Sequence, residues 1–247
     1  MPSRTMPTFV TEAIAEATGQ SHRADPVTPT TGGPAGNARL TAWTGLVLLV
    51  LSAAEGITLL NIRGLISWHV VIGVLLIPPA LLKTVSTGWR ILRYYRGDPG
   101  YTKAGPPPAA LRILGPAVVI TTLGLLASGL VLILLGPDSS QRSFLTVAGL
   151  GMNAVTVHQA VFIAWFVVTT LHVLGRFVPA LKLTISAPAR KAAVPGASHR
   201  MAALVVVAAV AAVAGPLALY ASGGWRAGDW HHEEGTPPAA HATGLPR

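Results

Sequence analysis

Residues 156–175, TVHQAVFIAWFVVTTLHVLG, form an apolar stretch of helical length that carries two histidines, His158 and His172. An ionisable or metal-binding side chain is costly in hydrocarbon, so its presence in such a segment asks for a function. Fourteen residues at ~100° each turn through about 1400°, some 40° short of four full turns, so the two histidines share one helix face. At ~1.5 Å per residue they stand about 21 Å apart along the axis. That is the spacing of helices that hold two stacked porphyrins, one near each membrane surface.

The rest of the chain places this segment in a membrane. Its 247 residues are 51% hydrophobic and 11% charged, against about 25% charged in a soluble domain, and the mean hydropathy is +0.55. Cysteine is absent, which excludes disulfides, thiolate catalysis, Cys-ligated zinc, iron–sulfur clusters and covalently attached haem. Apolar runs near 41–60, 69–87, 113–136, 155–179 and 201–221 each approach the ~20 residues a spanning helix needs. They are continuous rather than alternating, so they predict helices, not barrel strands. The expected fold is all-α, an integral membrane bundle of five transmembrane helices over residues 39–222. Residues 1–38, rich in Thr, Pro, Gly and Ala, predict a disordered cytoplasmic tail without a removable signal peptide. Residues 223–247 predict a flexible outer tail.

Charge sets the expected orientation. Arg4, Arg23 and Arg39, then Arg90, Arg93, Arg96, Lys103 and Arg112, then Arg176, Lys182, Arg190, Lys191 and Arg200 fall on one side of the spans. Arg63, Arg142, Arg226 and Arg247 fall on the other. Thirteen against four puts the N-terminus inside and the C-terminus outside. The net charge of +9 is therefore read as topology; no nucleic-acid motif accompanies it. The expected location is a bacterial plasma membrane, crossed several times. In this arrangement spans two and four run parallel, and His69 and His158, each at the start of its span, share one depth near the outer surface. Two such imidazoles can clamp one porphyrin from both faces.

The segments WHVVIGVLLIPPALLKTVSTGWRILRYYRGDPGY, GPPPAALRILGP and HQAVFIAWFVVTTLHVLG, with Glu55-Gly56 in the first span, resemble small bacterial b-type cytochrome membrane proteins. They are similar to the cytochrome b561 and ferric-reductase-like transmembrane groups over residues 41–180. The resemblance implies a non-covalent haem b held by His69 and His158, and makes His172 one ligand of a second, inner haem. The position fourteen residues after His69, where the inner partner histidine would stand, is Lys83. A second haem would need His172 with Lys83, or five-coordinate iron, so one haem is the expectation. Pro78-Pro79 between His69 and Lys83 predicts a kink.

Supporting roles follow from position. Glu55 lies at the depth of the outer pair, as acceptor for a histidine N–H or as a proton acceptor in quinol chemistry. Arg90 and Arg93, with Arg96, Tyr94 and Tyr95, could meet haem propionates or anionic headgroups. Gly73, Gly124, Ser128 and Gly129 would allow close helix approach or make room for a porphyrin. His231, His232, Glu233 and Glu234 could meet a metal but lack fixed spacing. No dinucleotide fingerprint, Walker loop or hydrolase motif occurs in a suitable context. Electrons would come from a quinol or from a separate oxidoreductase subunit, with membrane lipids as the other partners. The competing expectation is a haem-free scaffold or transporter-like protein in which Glu55, Lys83 and His172 line a polar path.

Overall fold

The structure is a computed structural model that describes residues 8–18, 20, 33–102, 109–147, 149–185 and 194–227. It is all-α apart from one small hairpin. Helix α1 (Thr8–Ala17) is followed by α2 (Gly33–Thr58), α3 (Ile62–Leu75), α4 (Ile77–Tyr95) and the single turn α5 (Pro99–Thr102). Then come α6 (Ala109–Gln141), strands β1 (Leu145–Val147) and β2 (Leu150–Met152), α7 (Ala154–Thr184), α8 (Ala197–Ala221) and the turn α9 (Gly223–Arg226). The strands pair antiparallel, Thr146 opposite Gly151.

Among the described residues, four helical stretches are long and apolar enough to cross a membrane: Pro34–Tyr95, Leu111–Gln141, Ala154–Thr184 and Ala197–Ala221. Their outward faces are apolar. Val50, Leu134, Ile163, Phe166 and Val213 are all more than half exposed. The buried core is correspondingly small, with Val70, Val74 and Ala218 packed against Ile77, Ile133 and Ala214. A surface of this kind suits lipid and not water, where patches of this extent are rare.

The 62-residue stretch Pro34–Tyr95 is not one straight helix. Asn61 leaves helical geometry (φ −147°, ψ 68°), and its Oδ1 caps the new helix by accepting from Gly64 N. The chain then folds back on α2. Glu55 and Thr58 meet His69, while Thr41 meets Lys83 and Ser86, the register of two antiparallel arms. Pro78 and Pro79 fall in the first turn of α4, where amides lack intrahelical partners in any case. Leu76 keeps helical angles and its N–H still bonds Ile72 O. Helices α3 and α4 therefore run on through the diproline.

Helices α6 and α7 form a second antiparallel pair. Ser128 meets His158, Thr122 meets Trp165, and Gly175 lies against Leu111. Gly136 takes φ 71°, ψ 173° before Pro137, a left-handed angle that glycine tolerates and a following proline favours over helix. The apolar run of α6 ends there. Asn153 starts α7 with a reciprocal cap: its side chain accepts from Thr156 N and Thr156 Oγ1 accepts from Asn153 N. That cap fixes the register of His158, one turn inside the helix.

Both expected tails differ from the structure where they are described. Within 1–38, α1 forms and α2 begins at Gly33. Helix α1 packs on α7 and α6, and its buried Glu16 bonds Arg176. An Ala- and Glu-rich segment has good helix propensity, and docking supplies what ten residues lack alone. In the outer tail, Gly223–Arg226 form α9, held by Trp225 Nε1 donating to Leu132 O at 2.9 Å. His231, His232, Glu233 and Glu234 lie outside the described residues.

Candidate functional site

The antiparallel α2–α3 pair builds the first half of the site. His69 Nδ1 lies 3.0 Å from Glu55 Oε1 and 2.9 Å from Thr58 Oγ1. Thr58 spends its own hydroxyl proton on the backbone carbonyl of Glu55, so its lone pair faces the imidazole. Gly73, one turn beyond His69, makes room for the carboxylate. A Cβ there would stand 3.3 Å from Glu55 Oε1.

The α6–α7 pair builds the second half by the same logic. His158 Nδ1 lies 2.8 Å from Ser128 Oγ, and Ser128 donates its hydroxyl proton to Leu125 O at 2.9 Å. Gly129 packs against the ring, 3.4 Å from Cε1 to the place of its missing Cβ. His158 lies within electrostatic reach of His69. In both histidines Nδ1 is held by a polar neighbour while Nε2 makes no hydrogen bond among the described residues.

A second cluster lies toward the other end of α4 and α7. Lys83 Nζ donates to Thr41 O at 3.0 Å and sits 2.8 Å from the Cβ position of Gly45; a larger residue at 45 would displace the ammonium. Lys83 and Arg176 are in electrostatic reach of His172, and Arg90 of Lys83. Arg176 bonds Glu16 at 2.6 Å. His172 Nδ1 and Thr169 Oγ1, one turn apart on α7, are buried without a hydrogen-bond partner.

Electrostatic reach thus joins His158 to His69 and His172 to Lys83. Arg93 is directed elsewhere. It pairs with Asp98 at 3.1 Å and lies over the rings of Trp89 and Tyr101 at 5.3 and 6.0 Å. Thr58, Ser128, Thr169 and Glu16 are the polar members that the sequence does not mark for these roles. Thr58 and Glu55 are three apart, a helical spacing that could have paired them; Ser128 shows no such local signal. Among the described residues no group of three or more His, Cys, Asp or Glu gathers as a metal cluster. Comparison with protein-family models, curated proteins and solved structures returns no match.

Proposed function

We propose that the chain is a haem b electron-transfer protein, with His69 and His158 as the axial ligands of one haem. The observation that carries this reading is the shared state of the two imidazoles. A histidine that binds a metal through Nε2 characteristically donates its Nδ1–H to a carboxylate, carbonyl or other acceptor, which fixes tautomer and ring orientation. Thr58 is placed to do this for His69 and Ser128 for His158, and the Glu55 carboxylate lies 3.0 Å from His69 Nδ1. The two rings come from separate helical pairs and lie within electrostatic reach. These contacts are what supports the reading.

When bound, haem supplies a one-electron couple. The residues would set its conditions: the imidazoles would offer nitrogen, Thr58 and Glu55 would orient the His69 ring, and the apolar spans would keep water away. Lys83 and His172 differ from the outer pair. His172 Nδ1 has no holder, which favours one haem over two.

In this reading the break at Asn61 divides Pro34–Tyr95 into two spans and makes five in all. The basic loops face the cytoplasm of a bacterial plasma membrane. Electrons pass between a quinol, or a partner oxidoreductase, and an acceptor at the outer face. The exposed apolar faces meet lipid.

A reduced-minus-oxidised visible spectrum of the purified protein, with haem counted per chain, tests the proposal. A b-type spectrum near one haem per chain, lost in His69→Ala and in His158→Ala, is the expected result. A haem-free protein after supplementation, or a full spectrum in both variants, overturns it. That outcome leaves the Glu55–His69 contact as part of a polar path, the transporter-like alternative.

A further inference from the structure

We propose that the hairpin β1–β2 seats one apolar face in the headgroup layer of the membrane and so fixes the depth at which α7 begins. The inference rests on the membrane-spanning reading of the long helices and on nothing about haem.

Pairing gives the hairpin two unlike faces. Side chains alternate along a strand, and directly opposed residues share a face. Leu145 is opposite Met152 and Thr146 is opposite Gly151. One face therefore carries Leu145, Val147 and Met152. The other carries Thr146 and Gly151, with Ser143 Oγ 2.6 Å from the place of a Cβ at Gly151. Leu145 and Val147 are more than half exposed, as is Phe144, whose N–H donates to Met152 O at the base of the ladder. Among the described residues the strands pack on each other and make no more than marginal contact with any helix. A two-stranded hairpin alone in water is marginally stable at best, so this one needs cover on its apolar face.

Position names the cover. The hairpin joins α6, ending at Gln141, to α7, beginning at Ala154. Asn153 Nδ2 donates to Gln141 O across its base at 3.2 Å. Both helices are long and apolar enough to span, so the strands start at the membrane surface, in the headgroup layer that covers the hydrocarbon. Exposed Arg142 stands at the same base and suits lipid phosphate. The joined helices already present exposed Leu134 and Ile163, so the lipid that meets them is at hand for the hairpin. A deeper seat is excluded, because each strand has an open edge of unpaired N–H and C=O groups that hydrocarbon does not accommodate. An interfacial seat meets both demands: apolar side chains reach the acyl boundary while the edges meet water and headgroups. Met152 directly precedes Asn153, which caps α7 and sets the register of His158, so a seated hairpin holds that histidine at a fixed depth.

The chain has no cysteine, so Leu145→Cys, Thr146→Cys, Val147→Cys and Ile163→Cys each take a single nitroxide in the full-length protein. The host is a vesicle of dioleoylphosphatidylcholine with a minority of dioleoylphosphatidylglycerol. Power saturation compares collisions with oxygen, which concentrates in lipid, and with nickel ethylenediaminediacetate, which stays in water. The label at Ile163, on the outward face of α7, reports lipid. The oxygen-to-nickel ratio is expected to be severalfold higher at Leu145 and Val147 than at Thr146. Leu145 and Val147 are separate exposed reporters of one face, so the test does not depend on either variant alone. A ratio as low at both as at Thr146 overturns the proposal, and so does a lipid-like ratio at all three. Weak collision with both reagents at Leu145 and Val147 would mean that protein covers the face, a partner or a second copy, and also overturns it. A lipid-like Ile163 with water-like Leu145 and Val147 leaves the spans standing while the anchor fails. A water-like Ile163 overturns both.

Discussion

Ser128 Oγ and His158 Nδ1 stand 2.8 Å apart across the α6–α7 interface, which leaves Nε2 as the nitrogen of His158 that points to any ligand. In the proposed site the serine would act through the ring and not on the metal itself. Replacing Ser128 by Ala should preserve the packing of two helices that already approach closely at Gly124 and Gly129. It should weaken haem retention about tenfold to a hundredfold, the usual effect of removing a partner of a ligating histidine. The check is the rate of haem transfer to apomyoglobin. A rate equal to wild type would show that Ser128 does not orient a ligand.

Glu55 and Thr58 divide a comparable task at His69. Glu55→Gln keeps an acceptor within reach of Nδ1–H but removes the negative charge. The ferric state, with one more positive charge than the ferrous, loses the more from that change. The midpoint potential should rise while haem content stays near wild type. Glu55→Leu leaves Thr58 as the single holder, and haem content should fall. Redox titration of both variants decides the point; a potential unchanged in Glu55→Gln would exclude the carboxylate from the site.

The turn at Asn61 carries a topological consequence. If α2 and the α3–α4 arm each cross the bilayer, Arg63 and Arg142 lie outside and Arg96 inside. The chain has no cysteine, so single substitutions to Cys give unique thiols. Arg63→Cys and Arg142→Cys should react with a membrane-impermeant maleimide on intact cells, and Arg96→Cys only after permeabilisation. Reaction of Arg63→Cys and Arg96→Cys from one side would mean that the hairpin does not cross twice.

Much of this architecture was legible in the chain because hydrocarbon tolerates few solutions. Each apolar run had to satisfy its own backbone, and the runs reappear within four long apolar helical stretches, the first of which, Pro34–Tyr95, holds two of them. The diproline was read as a kink; the helix divides there into α3 and α4, while Leu76 between them keeps helical angles. Helix α1 was hidden by the Pro- and Gly-rich residues after it, and by the fact that its stability comes from a contact with Arg176, 160 positions away. Ser128 was marked as a small residue, but its bond to His158 was hidden for the same reason. Its value lies in facing His158 across a helix interface, a relation that one-dimensional spacing does not encode. Glu55, His69, Lys83 and His172 stood out in sequence because ionisable groups in apolar runs are rare.

Lys83 supplies the sharpest test of one haem against two. Its ammonium bonds a backbone carbonyl, and Met has nearly the same length and no charge. If Lys83 ligated an inner iron, Lys83→Met would alter the spectrum, since thioether replaces amine, and His172→Ala would remove one haem of two. If it does not, both variants should keep the full b-type spectrum and the same haem per chain. Lys83 has no acidic partner among the described residues, and an unpaired buried charge destabilises a fold. Lys83→Met should therefore leave the melting temperature unchanged or raise it. Loss of the carbonyl contact at Thr41 works against this gain, but that carbonyl sits in α2, where the helix supplies its own donors. A visible spectrum and a thermal melt of the two variants decide both matters together: an altered Soret band in Lys83→Met would put iron beside Lys83, and an unaltered one would exclude Lys83 as an iron ligand.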